Sequence, residues 1–197
     1  MAHIGVAGFM GAGKSAVARI LQQSLSCKHI DADKEAKRLM NENAALQNKL
    51  ADAFGEDILC EKTVNFPQLG KRAFSSITRL NQLNSIVHPV LIDYLGRRIK
   101  EENDHRIIFD AALIPLWKIE DWFSTCIWVH ADRQVRCKRL DSISRLDPDS
   151  IKKRMRLQEM LFSPPAGKQW SVIENNADHD TLRSEVTELV SRICTFA

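Results

Sequence analysis

The chain has no long apolar run. Its hydrophobic stretches fall far short of the ~18 residues that a bilayer span requires, which argues against a bundle of membrane helices. The start, MAHIGVAGFMGAGKS, lacks a basic opening, a closed apolar stretch and a cleavage site. It does not read as a signal peptide, and a cytoplasmic protein is expected. Cysteines are few, odd in number and scattered (Cys27, Cys60, Cys126, Cys137, Cys194), with no CxxC. That argues against a disulfide framework and a zinc cluster, and suits a reducing compartment. Repeats and low-complexity tracts are absent. Hydrophobic residues make up 44% and charged residues 27%, which excludes a disordered or collagen-like chain. With 197 residues, one domain can bury its own core without a staple.

Charge of one sign is also scarce, since the net is only +3, yet its distribution is uneven. Between Arg133 and Arg156 stand nine basic residues against three acidic ones, so the remainder of the chain is negative. A basic concentration on a near-neutral protein points to an anionic ligand.

Hydrophobic patterning gives strands at HIGVAG, CKHID (27–31), RIIFD (106–110), CIWVH (126–130) and SVIEN. Helices are expected over Lys14–Leu25, about 34–40, about 44–54 closed by Gly55, from Pro67, over 133–142 and 148–161, and over 182–194. Residues 58–66 read as irregular. The run 76–103 reads as helical with a break at His88-Pro89, because proline removes a donor and pushes its predecessor out of the α region. Pro89 would then open a second helix. Strands alternating with helices predict an α/β fold with a mainly parallel central sheet flanked by helices. The strand-poor run from 34 to 103 predicts a separate helical lobe.

Gly8-Phe9-Met10-Gly11-Ala12-Gly13-Lys14-Ser15 fits GxxxxGK[ST] at every position, with a strand before it and a helix after it. Glycines let consecutive backbone N–H groups surround phosphate oxygens, and the helix N-terminus adds partial positive charge. Gly11, Ala12, Gly13, Lys14, Ser15 and Ala16 are therefore the expected ATP-binding residues. Lys14 is placed to reach the β- and γ-phosphates, and the Ser15 hydroxyl is placed to ligate Mg²⁺. The chain is too short for a motor's extra domains and has no NKxD string to read guanine. A small phosphoryl-transfer enzyme with a P-loop NTPase fold is the leading class.

Asp33 follows the second strand, where α/β sheets place functional groups. It is either the base that accepts the attacking hydroxyl's proton or the cap of the next helix. Asp31, two residues earlier, is read as sharing its side of the strand. Asp110 ends a strand and is a candidate to act on Mg²⁺ through water. The four tryptophans are spread over unrelated elements and read mostly as structural anchors.

GFMGAGKS followed by Asp31-Ala32-Asp33 resembles shikimate kinase, but the chain has no Gly-Gly dipeptide and no FRE segment to continue that likeness. A longer series resembles the dephospho-CoA kinase family: the P-loop, IDADKEAKRL (30–39), FGEDIL (54–59), LNSIVHP (83–89), IIFDAALI (107–114), KRL with Arg145, Gln158, and VIENN (172–176). The departures are Phe66 in place of an arginine, Ala112-Leu113-Ile114 with Leu116 at an acidic position, and Gln169-Trp170 in place of Ala-Asp. This resemblance implies ATP-dependent phosphorylation of the ribose 3′-hydroxyl of dephospho-CoA, giving CoA and ADP. It implies a core at about 1–33, 104–131 and 170–197, a helical CoA lobe at about 34–103 and a lid at about 132–160. It implies that Asp33 is catalytic and substrate-binding, that His88 lines the CoA site, that Arg139 and Arg145 contact phosphates from the lid, and that Asn175 lies at the adenine. His88 is otherwise a ring bonded to a freed carbonyl, and Asn175 otherwise a turn residue. The implied partners are ATP, Mg²⁺ and dephospho-CoA, with a monomer, no nucleic acid and no membrane. A second metabolite kinase or a nucleotide-dependent nucleic-acid binder are the alternatives; the basic segment lacks the interleaved aromatics of a single-strand binder.

Overall fold

The computed structural model describes residues 3–102, 106–144, 146–167 and 169–195. The chain divides into two compact units, Met1–Asp31 with Glu102–Ala197, and Ala32–Glu101. The segment 132–160 belongs to the first.

The first unit is built on a parallel sheet. Strand β1 (Ile4–Ala7) is followed by helix α1 (Lys14–Leu25) and β2 (Lys28–Asp31). After the helical unit come β5 (Ile107–Asp110), the short α6 (Ile114–Trp117), β6 (Thr125–His130), α7 (Arg133–Ile143), α8 (Pro148–Leu161), β7 (Trp170–Glu174) and α9 (His179–Thr195). The strand order is β2-β5-β1-β6-β7, and every pairing within it is parallel. β1 is buried along its whole length, which is why IGVA reads as a continuous apolar run rather than an alternating one. Val17, Ala18, Ile20 and Leu21 of α1 pack with strand residues such as Val6 and Ile127 and with Leu182 and Val186 of α9. Parallel register places Asp31, the last residue of β2, opposite Asp110, the last residue of β5. The carboxyl ends of the strands therefore bring acidic groups to one edge of the sheet.

The second unit holds α2 (Ala32–Glu42), α3 (Ala44–Phe54), a single turn of 3-10 helix at Glu56–Ile58, the hairpin β3 (Leu59–Cys60) and β4 (Thr63–Val64), α4 (Phe66–Ala73) and α5 (Ile77–Glu101). Helix starts are set by side-chain caps: Asn43 accepts from the Leu46 N–H, and Asn65, ahead of Pro67, accepts from the Gln68 N–H. Leu46, Leu50, Phe54, Leu69, Leu80 and Leu91 are among its buried residues.

Two local expectations are corrected. Residues 58–66 are not irregular: Leu59 pairs with Val64 and Cys60 with Thr63. The turn between them places Glu61 and Lys62 at φ 47° and 66°, the left-handed geometry of a tight hairpin. Buried Gln47 holds this hairpin by donating to the carbonyls of Asn41 and Lys62. The second correction concerns His88-Pro89, which does not break the chain; α5 runs through it, with Pro89 inside the helix. The buried positions Val87, Leu91, Leu95 and Ile99 recur every four residues across the proline, while Pro89 itself is exposed. An interior proline costs about 3 kcal/mol. Burying an apolar stripe on both sides of it outweighs that loss.

Candidate active site

The loop between β1 and α1 is shaped by positions that exclude side chains. Gly11 lies at φ 78°, and a Cβ there would sit 2.9 Å from the Arg136 carbonyl oxygen. Gly13 lies at φ 97°, and a Cβ there would sit 2.1 Å from Asn175 Nδ2. Gly13 is also the N-cap of α1 and makes no side-chain cap. The helix thus presents its first turn to an incoming anion, as phosphate-binding helices do. Lys14 opens α1 and is half-buried.

Ser15 Oγ donates to Asp110 Oδ2 at 2.8 Å. Asp110 is only 5% exposed, so the sheet holds a buried carboxylate against the loop hydroxyl. Buried His29 Nε2 has no hydrogen-bond partner and lies 4.0 Å from the same oxygen. Hydroxyl and carboxylate oxygens are hard donors of the kind Mg²⁺ takes, and Mg²⁺ needs only one or two protein ligands beside water and phosphate. Ser15 and Asp110 thus fit the cation expected of them.

Asn175 lies just past β7 and is buried. Its Nδ2 donates to the Ala12 carbonyl at 2.8 Å, its backbone N–H donates to His130, and its Oδ1 accepts from Arg139 Nη2. The bland reading of Asn175 as a turn residue misses these bonds. Arg139 Nη2 also reaches the Ala177 carbonyl, while Nη1 is buried without a partner. One guanidinium edge is therefore anchored and the other is unused. Gly13, Ala16, Arg139, Asn175, Asp178 and Leu182 line a cleft of about 330 Å³ beside the loop. Arg145 lies outside the described residues.

Two groups that touch the loop were not singled out for a role from sequence. Arg136 is 5% exposed and donates to the Ala131 carbonyl and, at 2.5 Å, to Glu159. Its guanidinium lies 5.1 Å from the Phe9 ring centroid. Arg136 and Leu140, one turn apart, are the buried residues of α7, and that helix carries no apolar stripe in its sequence that would have singled Arg136 out. Gln158 Oε1 accepts the Met10 backbone N–H at 2.7 Å. Nothing local in the sequence announces that bond. Two of the tryptophans act as the structural anchors expected of them: buried Trp128 packs on Trp170 and on Phe9.

In the helical unit, Asp33 is exposed in the first turn of α2. The helix begins at Ala32, so Asp33 is not its cap, and the shared-strand argument linking it to Asp31 does not apply. His88 is half-buried in α5, and burial pushes its pKa down to about 4. Its ring is neutral at physiological pH and offers a substrate phosphate no cation. Lys71, Arg72 and Arg79, with Asn65, Gln68 and Ser75, line a cleft of about 670 Å³ in this unit. Arg72 is already paired with Asp57, whose carboxyl it holds below the usual range, and Arg79 Nη1 donates to Ala53 and Gln82. No helix among the described residues is long and apolar enough to cross a membrane.

The dephospho-CoA kinase family model matches residues 2–181. Dephospho-CoA kinase from Corynebacterium efficiens is 30% identical over 99% of this chain and 98% of its own length. The enzyme of the same name from Corynebacterium diphtheriae is 30% identical, with the same two coverages. Among solved structures, the Thermus thermophilus protein TT1252 superposes with a TM-score of 0.70 at 22% identity, covering 97% of each chain. Dephospho-CoA kinase from Campylobacter jejuni gives 0.60 at 21%, covering 97% of this chain and 96% of that one.

Proposed function

The chain belongs to the dephospho-CoA kinase family, and from that premise we propose how its residues divide the work of phosphorylating dephospho-CoA. The reaction transfers the γ-phosphoryl group of ATP to a hydroxyl, the ribose 3′-hydroxyl, giving CoA and ADP. Backbone amides from Gly11 to Ala16 hold the phosphates, with Lys14 across the β- and γ-groups. Ser15 and Asp110 hold Mg²⁺, which when bound draws negative charge off the phosphate oxygens. The unused edge of Arg139 suits the same charge, because a guanidinium binds phosphate oxygens in pairs and keeps its proton. Asp33 accepts the proton of the 3′-hydroxyl as its oxygen bonds to the γ-phosphorus and the bond to the bridging oxygen of ADP breaks.

Asn175 acts on the nucleotide by fixing Ala12 and Arg139. The segment 132–160, with Arg139 and Arg145, serves as the lid. The acceptor falls to the helical unit, where the cationic lining of the 670 Å³ cleft suits its diphosphate better than neutral His88 does. We also infer a monomeric cytoplasmic enzyme without nucleic-acid or membrane partners. In support, the basic segment turns inward at Arg136 and Arg139 rather than offering one continuous charged face.

The observation that carries the reading is the Ser15–Asp110 bond at the mouth of a complete phosphate loop. The test is ADP release with dephospho-CoA, with shikimate and with no acceptor. Release should depend on dephospho-CoA and vanish in Lys14→Ala. Turnover on shikimate alone would move the chain to another acceptor, and normal turnover by Lys14→Ala would remove the nucleotide site.

A further inference from the structure

We infer that the C-terminal turn of α8 is a clamp on the phosphate loop, and that Gln158 is a positioning residue for nucleotide binding. Three residues at that end of the helix, Gln158, Glu159 and Phe162, converge on Phe9 and Met10. Gln158 Oε1 accepts the Met10 N–H at 2.7 Å. Glu159 takes Arg136 Nη2 at 2.5 Å, and the guanidinium so held lies over the Phe9 ring. Phe162, just beyond the helix, packs its ring 5.2 Å from that of Phe9. Trp128 of β6 meets Phe9 edge-on, also at 5.2 Å, and lies 6.3 Å from Phe162, so the three rings form one cluster. The outer turn of the loop is therefore held by the end of one helix, through the Gln158 bond and a ring cluster shared with the sheet.

The Met10 N–H explains why a side chain from so far along the chain is needed. A phosphate loop works by turning its amides toward the anion, so an amide that turns elsewhere needs another acceptor. Gln158 supplies one and sets which way the Met10 peptide faces. Glutamine suits the place because its carbonyl accepts without bringing negative charge beside a triphosphate. Since α8 also carries the Arg136 anchor, a shift of this helix is felt at the loop. By linkage, nucleotide in the loop must then stabilise the end of α8.

The inference rests on ATP being the phosphoryl donor and not on the identity of the acceptor. The test therefore reads nucleotide binding and the acceptor separately. Gln158→Met keeps the length and apolar stem but removes the acceptor oxygen. Its melting temperature without nucleotide should fall by no more than about 4 °C, the cost of about 1 kcal/mol for a half-buried amide that loses its acceptor in a chain of this size. Its Kd for ATP should rise about tenfold, with KM for dephospho-CoA unchanged within twofold. Gln158→Glu, which keeps an oxygen acceptor, should recover to within threefold of wild type at about 0.3 M salt, where the added charge is screened. An ATP Kd within twofold of wild type for Gln158→Met overturns the inference, as does an equal rise in both substrates' constants. If the acceptor assignment is wrong, turnover with dephospho-CoA is absent from wild type while the nucleotide Kd still decides the matter.

Discussion

The two units commit their polar side chains in different ways. In the sheet-based unit, groups from distant elements converge on one loop: Asn175 on the Ala12 backbone, Gln158 on the Met10 backbone, and Asp110 on the hydroxyl of Ser15. In the helical unit, many charged pairs join side chain to side chain at the surface: Arg97 with Asp93, Arg72 with Asp57, and Arg38 with Glu35. A bond to a buried backbone atom fixes a conformation and leaves an unsatisfied group if removed. An exposed ion pair is screened and replaceable. The first unit thus holds one loop in a fixed geometry, whereas the second combines a backbone anchor at Gln47 with replaceable surface pairs.

The largest expected effect tests whether an exposed charge of the helical unit can matter for chemistry alone. Asp33→Asn should lower kcat by roughly two orders of magnitude, with the ATP-induced rise in melting temperature retained. A loss below about threefold would reassign Asp33, and a large fall in stability would break the contrast between the units. The next case is an internal exception, since His88 is a half-buried titratable ring in the helical unit. Its folded pKa near 4 lies below the ordinary 6.5, so the unfolded chain takes up the proton first. Stability is full above about pH 6.5 and falls as pH drops toward 4, by about 2–3 kcal/mol. Melting curves from pH 7 to 4.5 should show a smaller acid loss for His88→Gln than for wild type; parallel losses would contradict the burial argument.

Asn175→Ala sharpens the comparison from the other side. It strips the Ala12 carbonyl and Arg139 of a partner and should cost about 2 kcal/mol. That corresponds to about 4–8 °C in melting temperature, and ATP affinity should weaken as well. An effect on nucleotide alone, with the melt unchanged, would make Asn175 a ligand contact rather than a brace. The smallest effect is Arg97→Ala. Both partners of its pair with Asp93 are about two-thirds exposed, so stability should change by less than about 0.5 kcal/mol. A larger loss would mean that the surface pairs of this unit are structural after all.

What was legible beforehand follows the reach of each interaction. The phosphate loop is spelled by consecutive residues, so its strand, its helix limits at Lys14 and Leu25 and the role of its glycines could be read directly. Pro67 announced α4 for the same local reason, although the helix begins one residue earlier, at Phe66. The braces could not be read, because the Gln158 bond spans 148 residues and the Asn175 bond spans 163. Locality also misled. Proline rules foretold a break at His88-Pro89, but the stripe from Val87 to Ile99 is decided by what packs against it. The hairpin at 59–64 was missed because its strands of two residues are too short to show alternation.

The close approach of Gly13 and Asn175 makes substitutions at the two positions depend on their order. A methyl group at position 13 collides with the Asn175 amide at 2.1 Å, and the φ of 97° resists any side chain there. A shorter residue at position 175 removes the collision but first deprives the loop of its anchor. Either route passes through an impaired intermediate, so the pair sits in a valley that single changes do not leave. In a random mutagenesis library, alanine at position 13 should therefore be less harmful in chains that already carry a small residue at 175. The loop motif, which looks like a property of eight adjacent residues, is held in place by a partner at the far end of the sheet.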